Sequence, residues 1–214
     1  MSSLQRAGGL FAAVATTLVV AACGGPSTAG DRVTPDASSA GVSVGGPAPT
    51  PPADLVASAE LAECPTTDAD AAVRDDGLPD LTLPCLGDGP AVRLAGLRGT
   101  PTVVNLWASW CSPCRDELPL FADLAASGRV RVLGIAVQDD PGASLSLLAD
   151  VDVHYASAMD FDGSTKGALR WVGLPMTLFV DSDGVVTHVE RGQITSVEQL
   201  DSLVAQTLGV EVPS

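Results

Sequence analysis

Pro101-Thr102-Val103-Val104-Asn105-Leu106-Trp107-Ala108-Ser109-Trp110-Cys111-Ser112-Pro113-Cys114-Arg115-Asp116-Glu117-Leu118-Pro119-Leu120-Phe121-Ala122-Asp123-Leu124 decides the fold of this chain. Residues 101–107 are apolar, β-branched and opened by a proline, which predicts a short buried strand. From Arg115 onward the apolar positions recur at helical spacing, with acids in the early turns. Cys111 and Cys114 therefore stand where a strand hands over to a helix. At a helix N-terminus the unpaired backbone N–H groups and the helix dipole favour a thiolate over a thiol. A low-pKa cysteine beside a second, resolving cysteine is what thiol–disulfide exchange requires.

The rest of the chain reads outward from this unit. Residues 78–83 and 92–94 have the pattern of short strands, with Gly87-Asp88-Gly89-Pro90 as the turn between them. Residues 130–137 form another buried strand, 143–149 a helix, 151–155 a brief strand, and 164–172 a short helix ending at Gly173. Residues 176–181 and 185–190 flank Ser182-Asp183-Gly184, a hairpin signal. Residues 195–208 form an amphipathic final helix that Thr195 or Ser196 could cap.

The run from Asn105 to Cys111, with Glu117 and Pro119 after the second cysteine, resembles the thioredoxin superfamily and, within it, the exported TlpA/ResA branch. The resemblance covers roughly the last two-thirds of the chain, the size of one ordinary domain. It implies an α/β thioredoxin-like fold, a central mixed sheet flanked by helices. Additional strands precede the active-site βαβ unit, and residues 138–162 form an insertion after it. Pro175 stands where the family carries a cis-proline beside its disulfide. A proline has no N–H, and a cis bond turns Leu174 outward, so that its backbone could pair with a substrate strand. Trp110 is expected to shield Cys111 and shape the docking surface, and Trp107 to lie in the core. Glu117, one helical turn past Cys114, stands where relatives carry a glutamate that tunes the cysteines. Asn105 occupies the position of the buried aspartate of cytoplasmic thioredoxins, and an amide cannot accept a proton as that aspartate does. Glu117 or water is left as the acceptor. His154 and His188 read as structural, without partners at metal-binding spacing.

The ends and composition bound the setting. The chain carries 11 basic and 26 acidic residues, a formal net charge of −15. That excludes nucleic acid and an anionic membrane surface as direct partners and favours a basic one. Residues 1–22 read as an export signal: Arg6, then an apolar run over 10–20, shorter than the roughly 20 residues that span a bilayer. Val20-Ala21-Ala22-Cys23 resembles a bacterial lipobox, which implies a lipid on Cys23 and an extracytoplasmic, membrane-anchored protein. Residues 23–53, rich in Gly, Pro, Ser, Thr and Ala, read as a tether, and 54–214 as the thioredoxin-like domain.

Of the five cysteines, Cys64 and Cys85 remain. Export favours a disulfide between them, which by chain entropy would stabilise by about 3 kcal/mol. It would serve as a structural staple or as a second, relaying redox pair. A four-cysteine zinc site is the third option, disfavoured by the absence of a second short-spaced pair. The expected cofactor set is empty apart from the redox disulfide itself. The expected partners are exported protein thiols and disulfides and a membrane electron donor. The expected state is a monomer. The resemblance implies a reductase of exported disulfides, apocytochrome c among them. An oxidase and a non-catalytic peptide clamp are the alternatives.

Overall fold

The computed structural model describes residues 49–211. The expected signal peptide, Cys23 and most of the tether lie outside them. The described chain opens with helix α1 (Ala53–Ala59). The helix begins at the end of the segment expected as a tether, where the sequence predicts no regular element. Its seven residues carry few helix signals of their own, and packing supplies what propensity lacks. Leu55 and Val56 pack against the main core.

A small antiparallel pair follows, β1 (Thr82–Leu83) and β2 (Val92–Arg93). The expected strand over 78–83 shrinks to its last two residues, because only these find a partner ladder. Leu94 leaves β2 for a 3-10 turn with Ala95 and Gly96.

The main sheet has the order β5-β4-β3-β6-β7. Its centre is β3 (Thr102–Trp107), all six residues of which are buried. Such a strand reads as a continuous apolar run because helices or loops cover both its faces. β4 (Arg131–Val137) lies parallel to it and β6 (Met176–Val180) antiparallel. β5 (Ser157–Asp160) and β7 (Val186–Arg191) form the edges. The strand expected over 151–155 does not form. Val151 caps the preceding helix, Asp152 takes a left-handed conformation at φ 58°, and pairing with β4 begins only at Ser157.

Four helices cover the sheet: α2 (Ser112–Ala126), α3 (Pro141–Asp150), α4 (Ser164–Leu169) and α5 (Val197–Leu208). α3 starts at a proline behind Asp140, whose carboxylate caps Ala143 N–H at 2.9 Å. Ser196 caps α5 through Gln199 N–H. One core holds Trp107, Leu118, Phe121, Leu148 and Phe179; the other face buries Leu94, Val104, Leu106, Ile135 and Leu178. The residues expected as an insertion therefore supply α3 and the edge strand β5, and are part of the sheet.

Cys64 and Cys85 form a disulfide, with Cα atoms 5.9 Å apart. It ties the segment after α1 to Cys85, which bridges Ala158 of β5. The same segment is held by Ala62 N–H on the His154 carbonyl at 2.7 Å. Both sulfurs lie in this bond, which leaves neither free as a thiolate ligand.

Candidate active site

β3 ends at Trp107, and a four-residue connection delivers Cys111 as the N-cap of α2. Cys111 and Cys114 are joined by a disulfide with S–S 2.02 Å and Cα–Cα 5.3 Å. Cys114 N–H points at Cys111 Sγ, 3.3 Å away. This is the first-turn N–H donation that stabilises a thiolate once the bond is reduced. Cys111 is 6% exposed and Cys114 fully buried, so solvent reaches the pair at Cys111.

Trp110 projects from the connection, 62% exposed, with its indole N–H on the Gln138 carbonyl at 3.2 Å. The Leu174–Pro175 bond is cis. Because Leu106 pairs with Met176, Pro175 lies beside the strand end that leads to the cysteines. Leu174 is half-buried there. Trp107 is wholly buried, as expected of a core residue. His154 bonds the Ala59 carbonyl and Asp152, and His188 bonds Glu190, both structural arrangements.

Glu117 is completely buried. Three residues past Cys114 on α2, it shares that cysteine's face of the helix. One carboxylate oxygen accepts Asn105 Nδ2–H at 2.8 Å; the other accepts Ile194 N–H at 3.0 Å. Burial pushes its pKa from 4.5 up to about 7, against the pull of these two hydrogen bonds. Asn105 also donates to Thr177 Oγ1 at 3.2 Å, which links the acid to β6 two residues past Pro175. So Asn105 does not leave the site without an acid. It holds one that the helix supplies.

Sequence reasoning missed Asp139. Only 7% exposed, its carboxylate accepts Ser109 N–H at 2.6 Å, Ser109 Oγ–H at 2.7 Å, Asp140 N–H at 2.9 Å and Ser144 Oγ–H at 2.8 Å. Together with the Trp110 bond to Gln138, it fastens the connection before Cys111 to the β4–α3 corner. In sequence Asp139-Asp140-Pro141 reads as a helix start, and only the second aspartate plays that part. The partner of the first lies 30 residues away, at Ser109.

Among the described residues no group of three His, Cys, Asp or Glu could hold a metal ion. The chemistry available is sulfur exchange beside a buried, titratable carboxyl.

A redox-competent cysteine pair at the end of the central strand of a thioredoxin-like sheet, with a cis-proline alongside, defines a thiol–disulfide oxidoreductase. The chain matches the Redoxin family over residues 73–204 and belongs to that family. It is 34% identical over 117 residues to the thiol:disulfide interchange protein CycY of Rhizobium leguminosarum bv. viciae, spanning 54% of this chain and 62% of CycY, less than two thirds of that relative. It is 37% identical over 129 residues to the thiol:disulfide interchange protein DsbE of Pseudomonas fluorescens biotype C, spanning 60% and 72% of the two chains. Among solved structures, MTB DsbF superposes with a TM-score of 0.55 at 30% identity, covering 61% of this chain and 98% of its own. A secreted Mycobacterium tuberculosis disulfide oxidoreductase homologous to E. coli DsbE gives 0.53 at 27%, covering 59% and 96%.

Proposed function

We propose that this protein reduces disulfides of exported proteins on the outer side of the cell membrane, held there by a lipid on Cys23. The observation that carries the exchange chemistry is the buried Glu117 carboxyl, with a pKa of about 7, one turn behind Cys114. In the reduced enzyme the Cys111 thiolate attacks a substrate disulfide. A mixed disulfide forms and one substrate sulfur leaves as thiolate. Glu117 then takes the proton from Cys114, and the Cys114 thiolate attacks Cys111 Sγ. The second substrate sulfur leaves as a thiolate, both substrate thiolates take protons from water to give the dithiol, and the Cys111–Cys114 bond is restored. Two electrons have passed to the substrate. A membrane dithiol donor must return them, with Glu117 giving its proton back to Cys114. A carboxyl titrating near neutrality suits both directions of this transfer.

The interchange relatives support the class, and the lipobox-like Val20–Cys23 supports the anchor. The TlpA/ResA resemblance points to the Cys-x-x-Cys-His of apocytochrome c as one substrate. The test is insulin reduction with Cys111→Ser as control, alongside the reduction potential of the pair. A potential more negative than about −200 mV supports the reductase, and one near −120 mV makes the protein an oxidase. Insulin reduction by the Cys111→Ser variant would refute the mechanism.

A further inference from the structure

Residues 171–174 carry the chain from α4 to Pro175, and little holds their backbone. None of the four makes a backbone hydrogen bond among the described residues, and β6 begins only at Met176. Val172 and Gly173 are exposed and Leu174 is half-buried. Trp171 is the anchor of this segment. Only 6% exposed, it lies in the same core as Leu106, Ile135 and Met176. Its indole N–H donates to Thr165 Oγ1 at 3.1 Å, and Lys166 Nζ stands 5.2 Å from its ring centroid.

Thr165 is oriented in turn by a completely buried carboxylate, Asp160. Thr165 N–H donates to Asp160 Oδ2 at 3.0 Å, and its hydroxyl donates to the same oxygen. Ser164 N–H and Oγ–H each donate to Asp160 Oδ1 at 2.9 Å. A hydroxyl has one hydrogen. With it given to Asp160, the lone pairs of Thr165 Oγ1 are left for the Trp171 N–H. The same corner reaches the other tryptophan at the site. The Asp160 carbonyl accepts Gln138 N–H at 2.9 Å, and the Gln138 carbonyl accepts the Trp110 indole N–H. Gln138 is held at φ 49°, with its side chain against Gly163, where a Cβ would come within 2.8 Å of Gln138 Cδ.

We propose that Asp160, Thr165 and Trp171 are positioning residues for disulfide exchange with a polypeptide: through the Trp171 indole they fix where Leu174 stands, and through Gln138 where Trp110 stands, around Cys111. The inference rests on the oxidoreductase reading. Capping the six-residue α4 accounts for the Ser164 and Thr165 N–H bonds to Asp160. The Thr165 hydroxyl goes further, to the segment that precedes Leu174. A polypeptide disulfide is presented to Cys111 across Trp110 and Leu174, whereas a small aliphatic disulfide needs only the sulfur. Without the indole bond, the segment stands in place in only a fraction of molecules, and the apparent affinity for a polypeptide falls by that fraction.

The experiment compares two second-order rate constants for enzyme that has been reduced with excess dithiol and desalted. One is measured with a peptide disulfide, the other with hydroxyethyl disulfide. Trp171→Phe keeps an aromatic ring and removes the N–H. Thr165→Val keeps the shape and removes the hydroxyl. In both variants the peptide rate should fall about two- to tenfold, the factor that one hydrogen bond is worth, while the hydroxyethyl disulfide rate stays at the wild-type value. Thr165→Ser keeps the hydroxyl and should restore the peptide rate. Thr165→Val also deprives Asp160 of a donor, so urea unfolding should show it destabilised; Trp171→Phe leaves Asp160 its four donors and separates positioning from that loss. An unchanged peptide rate in Trp171→Phe, equal slowing with both disulfides, or no recovery in Thr165→Ser would overturn the positioning role. Failure of the wild-type protein to reduce either disulfide would overturn the oxidoreductase reading itself, a result distinct from all three.

Discussion

Replacing Glu117 by Gln tests whether the buried acid is ionised at a cost that the fold carries for the sake of chemistry. The carboxyl rises from 4.5 to about 7 because it is buried. At about 1.4 kcal/mol per pH unit, that corresponds to about 3 kcal/mol. The folded state holds the proton more tightly than the unfolded state. The favourable contribution is therefore fully present below pH 4.5 and lost as the pH rises through about 7. Wild-type stability should fall by about 3 kcal/mol across that window from this group alone. Gln cannot ionise and lacks this slope. It can still accept from Asn105 through its carbonyl oxygen, but its NH2 cannot accept Ile194 N–H. The lost hydrogen bond costs about 1–3 kcal/mol at every pH. Near pH 5 the variant should be the less stable protein. Near pH 8 the avoided ionisation offsets the lost bond, and the two curves should meet or cross. The assay is urea unfolding from pH 4.5 to 8.5, with Cys111–Cys114 oxidised in both proteins. A difference in unfolding free energy that stays constant with pH would show that Glu117 is not ionising in the interior. The proton transfer assigned to it would then fail too.

Replacing both Cys64 and Cys85 by Ser should lower stability by about 3 kcal/mol and leave insulin reduction near wild-type; loss of turnover in a folded double variant would mark the pair as a relay. Gly134→Ala would place a Cβ 2.5 Å from Ser157 Oγ and 2.8 Å from Trp107 Nε1. It should cost about 1–3 kcal/mol by chemical unfolding, and an unchanged midpoint would show that this face of the core can yield. Cys23→Ser should release the protein from the membrane or leave its precursor unprocessed; unchanged retention and mature mass would remove the lipid anchor.

The strand–cysteine–helix unit was legible because every signal in it is local: β-branched run, Cys-x-x-Cys, helical period. Pro175 was legible through the family resemblance, which places a cis-proline there, and the peptide bond is cis. The misses share a different cause. Helix α1, the shortened β1 and the absent strand over 151–155 were decided by partners distant in sequence, which local pattern does not encode. Residues 138–162 read as an insertion, but that they add α3 and an edge strand to the sheet was not legible. The strand Ser157–Asp160 is defined by pairing with residues 134–137. Asp139 and the depth of Glu117 were invisible because an acid next to helix-start or helix-surface residues reads as solvated until tertiary structure closes over it.

Asn105 and Glu117 are best understood as one device divided between two elements. A buried aspartate on β3 would place the acid on the sheet; here β3 supplies the amide and α2 the carboxyl, 2.8 Å apart. Moving the acid to the helix puts it on the same rigid element as Cys114, so their separation does not depend on how α2 packs against the sheet. Asn105 then serves both neighbours, donating to Glu117 and to Thr177, and thereby couples the acid to the strand that begins at the cis-proline. The surroundings are unusually polar for a core. Asn105 Oδ1, Trp107 Nε1 and Tyr155 Oη are buried and find no partner among the described residues. Gly134 pairs with Asn105 across the ladder, and its missing side chain leaves room for the Trp107 indole and the Tyr155 ring. On the mechanism proposed above, this interior handles the proton of Cys114 through Glu117. On the same reading, the exchange of sulfur partners takes place at Cys111, the cysteine of the pair that solvent reaches.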